Sequence, residues 1–141
     1  MKKMLKVVGM SSLLCLLFAI SATAQITIGL TFTTTFPFYA GNTKLPAGTY
    51  KITPSQYSTD ILQIDSSVGN HSAFIEYTPS QTGASHKATD VSFKKYGTTD
   101  FLDTIWVQGQ QFGMVIEPTK VEKKLAEGGA PQGHSVPAKG Q

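Results

Sequence analysis

Residues 36–53 read FPFYAGNTKLPAGTYKIT, and the architecture expected of the chain follows from them. Phe36 and Phe38 lie two positions apart, so both rings fall on one face of an extended segment. A polar Gly-Asn pair comes next. Pro46 then fixes φ and lacks an N–H, while Gly48 tolerates a positive φ, so the chain must turn before it enters the next strand. This pattern predicts β-hairpins in an all-β domain.

The first 24 residues have the pattern of a secretory signal peptide. Three lysines precede a largely apolar run over residues 7–20, and residues 22–24 form a small-x-small cleavage site. The run is shorter than the roughly 20 residues that span a bilayer. Cys15 lies inside this run and does not follow a small residue, so we expect no lipid on it. We predict cleavage before Gln25, export to the periplasm or the extracellular space, and no membrane insertion afterwards.

The charge of the exported chain differs from that of the whole chain. Twelve basic residues stand against nine acidic ones, a net charge of +3. Three of the lysines belong to the signal peptide, which leaves nine against nine. All the basic residues are lysines, so bidentate arginine contacts to phosphate or guanine are excluded. We therefore expect no nucleic-acid partner.

Alternating apolar and polar residues predict strands along the chain. The first strand covers residues 26–36, where Ile26 and Ile28 alternate with threonine and glycine. Turn residues recur at short intervals, a spacing typical of a sandwich or barrel of about seven strands. We predict a single domain over residues 25–127, all-β and antiparallel, folded as a sandwich or a flattened barrel.

The C-terminal part of the chain predicts one helix and a flexible tail. Residues 119–122 match a capping box, and Val121 and Leu125 share one helical face. We expect a helix over residues 120–127 that docks on the sheet through this face. Residues 128–141 are glycine, proline, alanine and polar residues with little apolar bulk, which predicts disorder.

Carboxylate pairs are the catalytic arrangement that the composition leaves open, as Asp100 with Asp103 or as Asp65 with Glu76. Hydrolysis by such a pair needs one carboxyl group that burial keeps protonated. Asp103 shares its predicted face with apolar neighbours, Phe101 and Ile105, which favours a structural role. A hydrolase is therefore the weakest candidate, and we predict that the protein is not an enzyme.

Several aromatic residues could form a platform for a sugar or an apolar ligand. Amphipathic rings on a concave sheet face stack on such ligands. Packing in the core is the alternative interpretation, since a sandwich needs apolar bulk. The candidate ligand-binding residues are Trp106, Tyr39, Tyr77 and Tyr96.

The three histidines do not predict a metal site. His71, His86 and His134 are far apart and lack the spacing of metal ligands. The chain has a single cysteine, which belongs to the signal peptide, so thiolate sites are excluded from the exported part. We expect no cofactor.

The first strand also suggests self-association. Residues 26–36 are uncharged and rich in threonine, so they lack the lysines that commonly protect a sheet edge. Such a strand could be donated to a neighbouring molecule, or it could complete the sheet of its own chain.

The motif LPAGTY at residues 45–50, with the signal peptide and the Phe-x-Phe arm, resembles a group of small secreted bacterial proteins of unknown function. The resemblance extends to the ILQI strand at residues 61–64, to a strand that carries Trp106, and to the Glu- and Lys-rich helix. It implies an exported β-rich protein and no particular activity or site residue.

The leading functional hypothesis is therefore a non-enzymatic exported protein with a structural or interaction role at the cell envelope. Its partner would be a second copy of the chain or an envelope polymer. The alternative is a β-sandwich module that binds carbohydrate or an apolar ligand through Trp106 and the tyrosines.

Overall fold

The structure of the chain is a computed structural model that describes residues 29–82 and 84–140. These residues form ten strands and one short helix. In chain order the elements are β1 Leu30–Thr34, β2 Phe38–Ala40, β3 Thr43–Leu45, β4 Gly48–Pro54, β5 Ile61–Ser66, β6 Ser72–Gln81, β7 Asp90–Tyr96, β8 Thr99–Trp106, β9 Phe112–Ile116, α1 Lys120–Ala126 and β10 Gln132–Gly140.

Eight of the strands form a closed antiparallel barrel. Their order is β8-β7-β10-β1-β4-β5-β6-β9, and pairing of β9 with β8 completes the circle. The β2–β3 hairpin lies outside this circle and joins β8 through a parallel contact between Tyr39 and Phe101. The predicted all-β class is therefore confirmed, with more strands than the sequence indicated.

Large apolar side chains fill the described interior of the barrel. The ring of Phe32 lies 5.9 Å from Phe38, 5.8 Å from Tyr50 and 6.3 Å from Phe93, measured between ring centroids. All four residues are buried. Aromatic rings at these separations attract each other beyond the effect of buried area. The interior is thus a packed core.

The LPAGTY segment connects the outer hairpin to the barrel. Tyr50 on β4 is fully buried, and its hydroxyl group donates a hydrogen bond of 2.5 Å to the carbonyl oxygen of Pro46. Burial raises the pKa of Tyr50 above its usual value. Gly48 begins β4 and is not among the glycines with a positive φ. The predicted turn is present, but a positive φ at Gly48 is not what forms it.

The prediction of a flexible C-terminal tail is wrong, because residues 132–140 form strand β10. This strand pairs with β7 on one side and with β1 on the other. Main-chain hydrogen bonds to two neighbours hold it, and these do not depend on side-chain bulk. Ala138 is buried and Val136 packs against the core. A composition poor in apolar residues therefore fits a strand that closes the barrel.

Helix α1 forms where the sequence predicts it, but it does not dock through the predicted face. Thr119 caps it by accepting a hydrogen bond from the backbone N–H of Glu122 at 3.1 Å. Val121 is 54% exposed and Leu125 is 39% exposed, whereas Glu122 is buried. The helix packs on the barrel through Glu122, so Val121 and Leu125 lie on the side that faces solvent.

The first described strand, β1, has partners on both edges, β4 and β10. Residues 26–28, which the predicted first strand also includes, lie outside the described residues. The predicted signal peptide over residues 1–24 lies outside them as well. The described part of the first strand therefore completes the barrel of its own chain.

Candidate functional site

Trp106 lies on the outer face of the barrel at the end of β8. Its neighbour Ile105 is buried in the core, and Gly113 stands opposite Trp106 on β9. A Cβ atom added to Gly113 would lie 2.6 Å from Cζ3 of Trp106, so the indole covers this glycine. The ring of His86 stacks on Trp106 with centroids 4.7 Å apart, and Nε2 of His86 contacts Asp90 at 3.1 Å. The indole is half-buried between these neighbours.

Tyr39 and Tyr96 lie together near the start of β8, where both contact Phe101. The ring of Tyr39 stacks on Phe101 at 5.2 Å, and Tyr96 meets it edge to face at 5.9 Å. Trp106 lies at the other end of the strand, where it pairs with Asp90 on β7 and with Gly113 on β9. The structure therefore separates these tyrosines from Trp106.

Tyr77, the fourth candidate residue, belongs to the core. It is 8% exposed, and its hydroxyl group donates a hydrogen bond of 3.0 Å to the carbonyl oxygen of Thr59. Burial raises its pKa, and the negative charge of Asp60 adds to the effect. The four predicted ligand-binding residues thus occupy three separate places and do not form one platform.

The carboxylates considered for catalysis are also dispersed. Asp100 is buried and lies 2.6 Å from Nε2 of His134. Asp103 pairs with Nζ of Lys94 at 2.7 Å. Glu76 lies on the outer face of β6 and is exposed. Each carboxylate thus has its own surroundings, and Asp100 and Asp103 of the predicted pair contact two different side chains, His134 and Lys94.

A β-bulge explains why Asp103 differs from its predicted orientation. Ser92 pairs with Thr104 and Phe93 pairs with Leu102, so Asp103 has no partner across the strand pair. An extra residue in one strand moves the side chains of the following residues to the opposite face of the sheet. Phe101 and Ile105 consequently lie on opposite faces, and Asp103 does not share one face with both.

Glu122 joins Lys94 and Asp103 in a charged cluster beneath α1, which the sequence did not indicate. Burial raises the pKa of Glu122 above its usual value. The positive charge of Lys94 and a hydrogen bond from the Thr119 backbone lower this pKa, whereas the negative charge of Asp103 raises it further. Lys94 in turn has a raised pKa, chiefly because of its hydrogen bond to Asp103. The capping box predicted the position of Glu122 in the helix but not its burial.

A groove on the outer face of β6 combines apolar and charged groups. We call it the β6 groove. One part has a volume of about 390 Å³ and is bounded by the β2–β3 turn, β6 and the segment after β9. A second part, of about 440 Å³, adjoins it near the start of β5. The residues that define the groove are Gly41, Asn42, Asp60, Phe74, Glu76, Glu117 and Pro118.

The β6 groove presents an aromatic ring beside unneutralised acidic groups. Phe74 is 54% exposed. Glu76 and Glu117 line both parts of the groove, and Asp60 lines the second part. The ion pairs described for residues 29–82 and 84–140 involve other carboxylates. Glu117 accepts a long hydrogen bond of 3.4 Å from Thr78. The groove is therefore negative, with an apolar end.

The register of the sheet places two of these carboxylates side by side. Tyr77 pairs with Ile116 in the antiparallel β6–β9 ladder, and the next position brings Glu117 beside Glu76. Like charges at such cross-strand positions destabilise a sheet. Sequence alternation could have identified Phe74, because Ala73 and Ile75 point inwards. No local pattern indicated Glu117 as its neighbour.

The histidines do not converge on a metal site. Over residues 29–82 and 84–140, no group of three or more histidine, cysteine or acidic side chains is arranged to hold a metal ion. His86 contacts Asp90, His134 contacts Asp100, and His71 lies exposed before β6.

Fold and site together define a small closed β-barrel with a packed interior and a groove on its outer face. Comparison with known proteins finds no matching family model, no matching curated protein and no matching solved structure. Among the residues that the structure describes, no helix has the length and apolar character needed to cross a membrane.

Proposed function

We propose that the protein is an exported, non-catalytic protein that binds another protein at the cell envelope through the β6 groove. The observation that carries this proposal is the exposed ring of Phe74 next to Glu76 and Glu117, which no described cation neutralises. A partner that covers the ring and supplies positive charge would remove both unfavourable features.

The packed barrel interior favours an outer binding surface over an internal ligand chamber. The central positions hold large rings and branched side chains, among them Phe32, Ile64 and Ile105. Carriers that enclose a ligand need space that these residues occupy. Export is proposed on the sequence of residues 1–24. A mass measurement on the protein recovered from outside the cytoplasm should give a chain that begins at Gln25.

Site-specific photo-crosslinking tests the function. A photoreactive phenylalanine analogue placed at position 74 should give a discrete protein adduct in cells that export the protein. The matched control carries the analogue at Tyr57, which is 78% exposed and lies outside the groove. An adduct at position 74 but not at position 57 supports the proposal. No adduct, or the same adducts from both positions, would overturn it.

The second candidate function is carbohydrate binding at Trp106, and the placement of this ring on the outer face favours it. A half-exposed indole beside the His86–Asp90 pair combines an apolar face with polar groups, as in many sugar sites. Trp106 is the sole tryptophan of the chain, so its fluorescence reports on this place alone. Titration with soluble envelope polysaccharides should shift the emission if the ring is a platform. An unchanged spectrum across the panel would refute this second function.

A further inference from the structure

Helix α1 presents a basic row beside an apolar row on its exposed surface. Lys120 and Lys124 lie four residues apart and therefore form one row along the helix. Val121 and Leu125 have the same spacing and form the neighbouring row. All four side chains are exposed, because the helix packs on the barrel through Glu122. The ion pairs in the described part of the chain do not involve these two lysines. The helix thus offers positive charge and aliphatic groups to a second molecule.

The β6 groove has the opposite charge and a matching apolar group. Its carboxylates belong to Asp60, Glu76 and Glu117, and its exposed ring belongs to Phe74. The exported chain has nine lysines against nine acidic residues, yet three of these lysines lie within the seven residues of α1. Glu127, at the end of the helix, offsets one of them. The surface is therefore divided into a negative groove and a positive helix, which attract each other between molecules.

The groove and the helix adjoin each other in one molecule. Thr119 lines the groove and is also the N-cap of α1, so the helix begins where the groove ends. Leu125 and Phe74 both remain exposed, so the helix does not cover the groove of its own chain. Two adjoining surfaces of opposite charge fit a second copy that is rotated by 180°, because each helix then meets the groove of the other molecule.

We propose that two copies of this chain form a symmetric dimer, in which α1 of each molecule lies in the β6 groove of the other. This proposal rests on the proposed function of the β6 groove and names the partner as a second copy of the chain. The lysines of α1 face Glu76 and Glu117, and the aliphatic row of α1 covers Phe74. The two-fold axis repeats every contact, so contacts of modest strength act twice. The apolar contact contributes affinity, and the charges select the orientation.

Analytical ultracentrifugation of the exported protein over a range of concentrations tests the dimer. The mass should rise from that of one chain to that of two as the concentration increases, and no larger species should form because the symmetry is closed. Added salt should weaken the association, since it screens the charges at the interface. A mass of one chain at every concentration, or a dimer that salt does not affect, would overturn the proposal.

Charge reversal tests which surfaces meet. Glu76→Lys and Lys124→Glu should each weaken the dimer about tenfold or more, since like charges then face each other at both copies of the contact. An equimolar mixture of the two variants should dimerise again, because each reversed group then meets a partner of opposite charge. A mixture that stays monomeric would overturn the proposal, whereas restored association also shows that both variants are folded.

Two matched controls accompany these variants. Lys139→Glu makes the same charge change at an exposed position on β10, four strands from β6 in both directions around the barrel, and should dimerise like the parent. Phe74→Ala should weaken the dimer about tenfold or more, because it removes the apolar contact. Val68→Ala removes an 85% exposed side chain outside the groove and should have no effect. Equal losses in a variant and its control would contradict the assigned interface.

The two levels of the proposal fail in different ways. The adduct formed by the photoreactive analogue at position 74 should have the mass of two chains, and its linked peptide should come from α1. An adduct with a different protein would leave the groove as a binding site and refute the dimer. Absence of any adduct would refute both the dimer and the proposed function.

Discussion

Nε2 of His134 lies 2.6 Å from Oδ1 of Asp100, and this contact joins strand β10 to strand β8 across the intervening strand β7. Asp100 is 4% exposed, so His134 is the polar partner of a buried carboxylate. The ring of His134 also packs at 5.0 Å from Phe36 and 5.6 Å from Phe93. One side chain of the last strand thus links polar and apolar parts of the barrel end.

Substitution His134→Ala should destabilise the protein by roughly 1–3 kcal/mol, because it leaves a buried carboxylate without its partner. Urea denaturation followed by circular dichroism measures the change in the free energy of unfolding. His71→Ala is the control, since His71 is exposed in a turn, and it should have little effect. Equal stability of the two variants would contradict the role of the contact.

Removal of residues 130–141 should prevent cooperative folding. The truncation leaves the edges of β1 and β7 without β10, which pairs with both. A flexible tail could be removed without this effect. Thermal unfolding of the truncated protein should show no sharp transition, and amide spectra should lose their dispersion. A truncated protein with the parent's melting temperature would contradict the closed barrel.

Substitution Tyr50→Phe should cost about 1 kcal/mol, because the ring packing stays and the hydrogen bond to Pro46 is lost. Denaturant titration gives the difference in the free energy of unfolding. Tyr57→Phe removes a hydroxyl group from a side chain that is 78% exposed and should leave stability unchanged. If both variants match the parent, the hydroxyl group of Tyr50 contributes nothing to the turn.

Substitution Gly113→Ala should destabilise the protein by roughly 1–3 kcal/mol through overpacking. The new Cβ would lie 2.6 Å from Trp106 and 2.9 Å from Thr104, so the indole must move. A shift of the tryptophan emission should accompany the loss of stability. Gly133→Ala, in a strand position with nothing within 4 Å of the added Cβ, should change neither quantity.

Substitution Glu122→Gln should stabilise the protein more at neutral pH than at acid pH. Burial raises the folded-state pKa of Glu122 above its ordinary value of 4.5, and the negative charge of Asp103 adds to the increase. Well below pH 4.5 the carboxyl group is protonated in both the folded and the unfolded state, so it does not change the stability. As pH rises through the window from 4.5 to the folded pKa, the unfolded state ionises first and the parent loses stability. Glutamine carries no such penalty and can keep the capping box.

Denaturation of parent and Glu122→Gln at several pH values from acid to neutral measures this difference. It should grow as the pH increases. Glu127→Gln, which removes an exposed carboxylate from the same helix region, is the matched control. A difference for Glu122→Gln that shrinks with rising pH would contradict the raised pKa.

The sequence predicted the elements whose side chains alternate. Val91 and Phe93 on β7 alternate with polar residues and both are buried, as in the strands that alternation predicts. The capping box predicted where α1 begins. Local side-chain patterns decide these features, so a single sequence carries them.

The remaining features depend on contacts between distant residues. Strand β10 was missed because its position between β7 and β1, not its composition, holds it. The bulge at Asp103 is defined by the partner strand and has no signature of its own. The β6 groove requires Glu117 to meet Glu76, and this follows from the register of β6 with β9. The platform expected around Trp106 assumed one shared face that the barrel does not provide.

The position of β10 sets the order in which the chain can reach its final form. A chain that emerges from a ribosome or a translocation channel presents β1 and β7 long before residue 140 is released. Until then each of the two strands has one unpaired edge, and unpaired edges can pair with other chains. The barrel therefore cannot close before β10 is available, and protection of these two edges until then would matter more than the speed of any single hairpin.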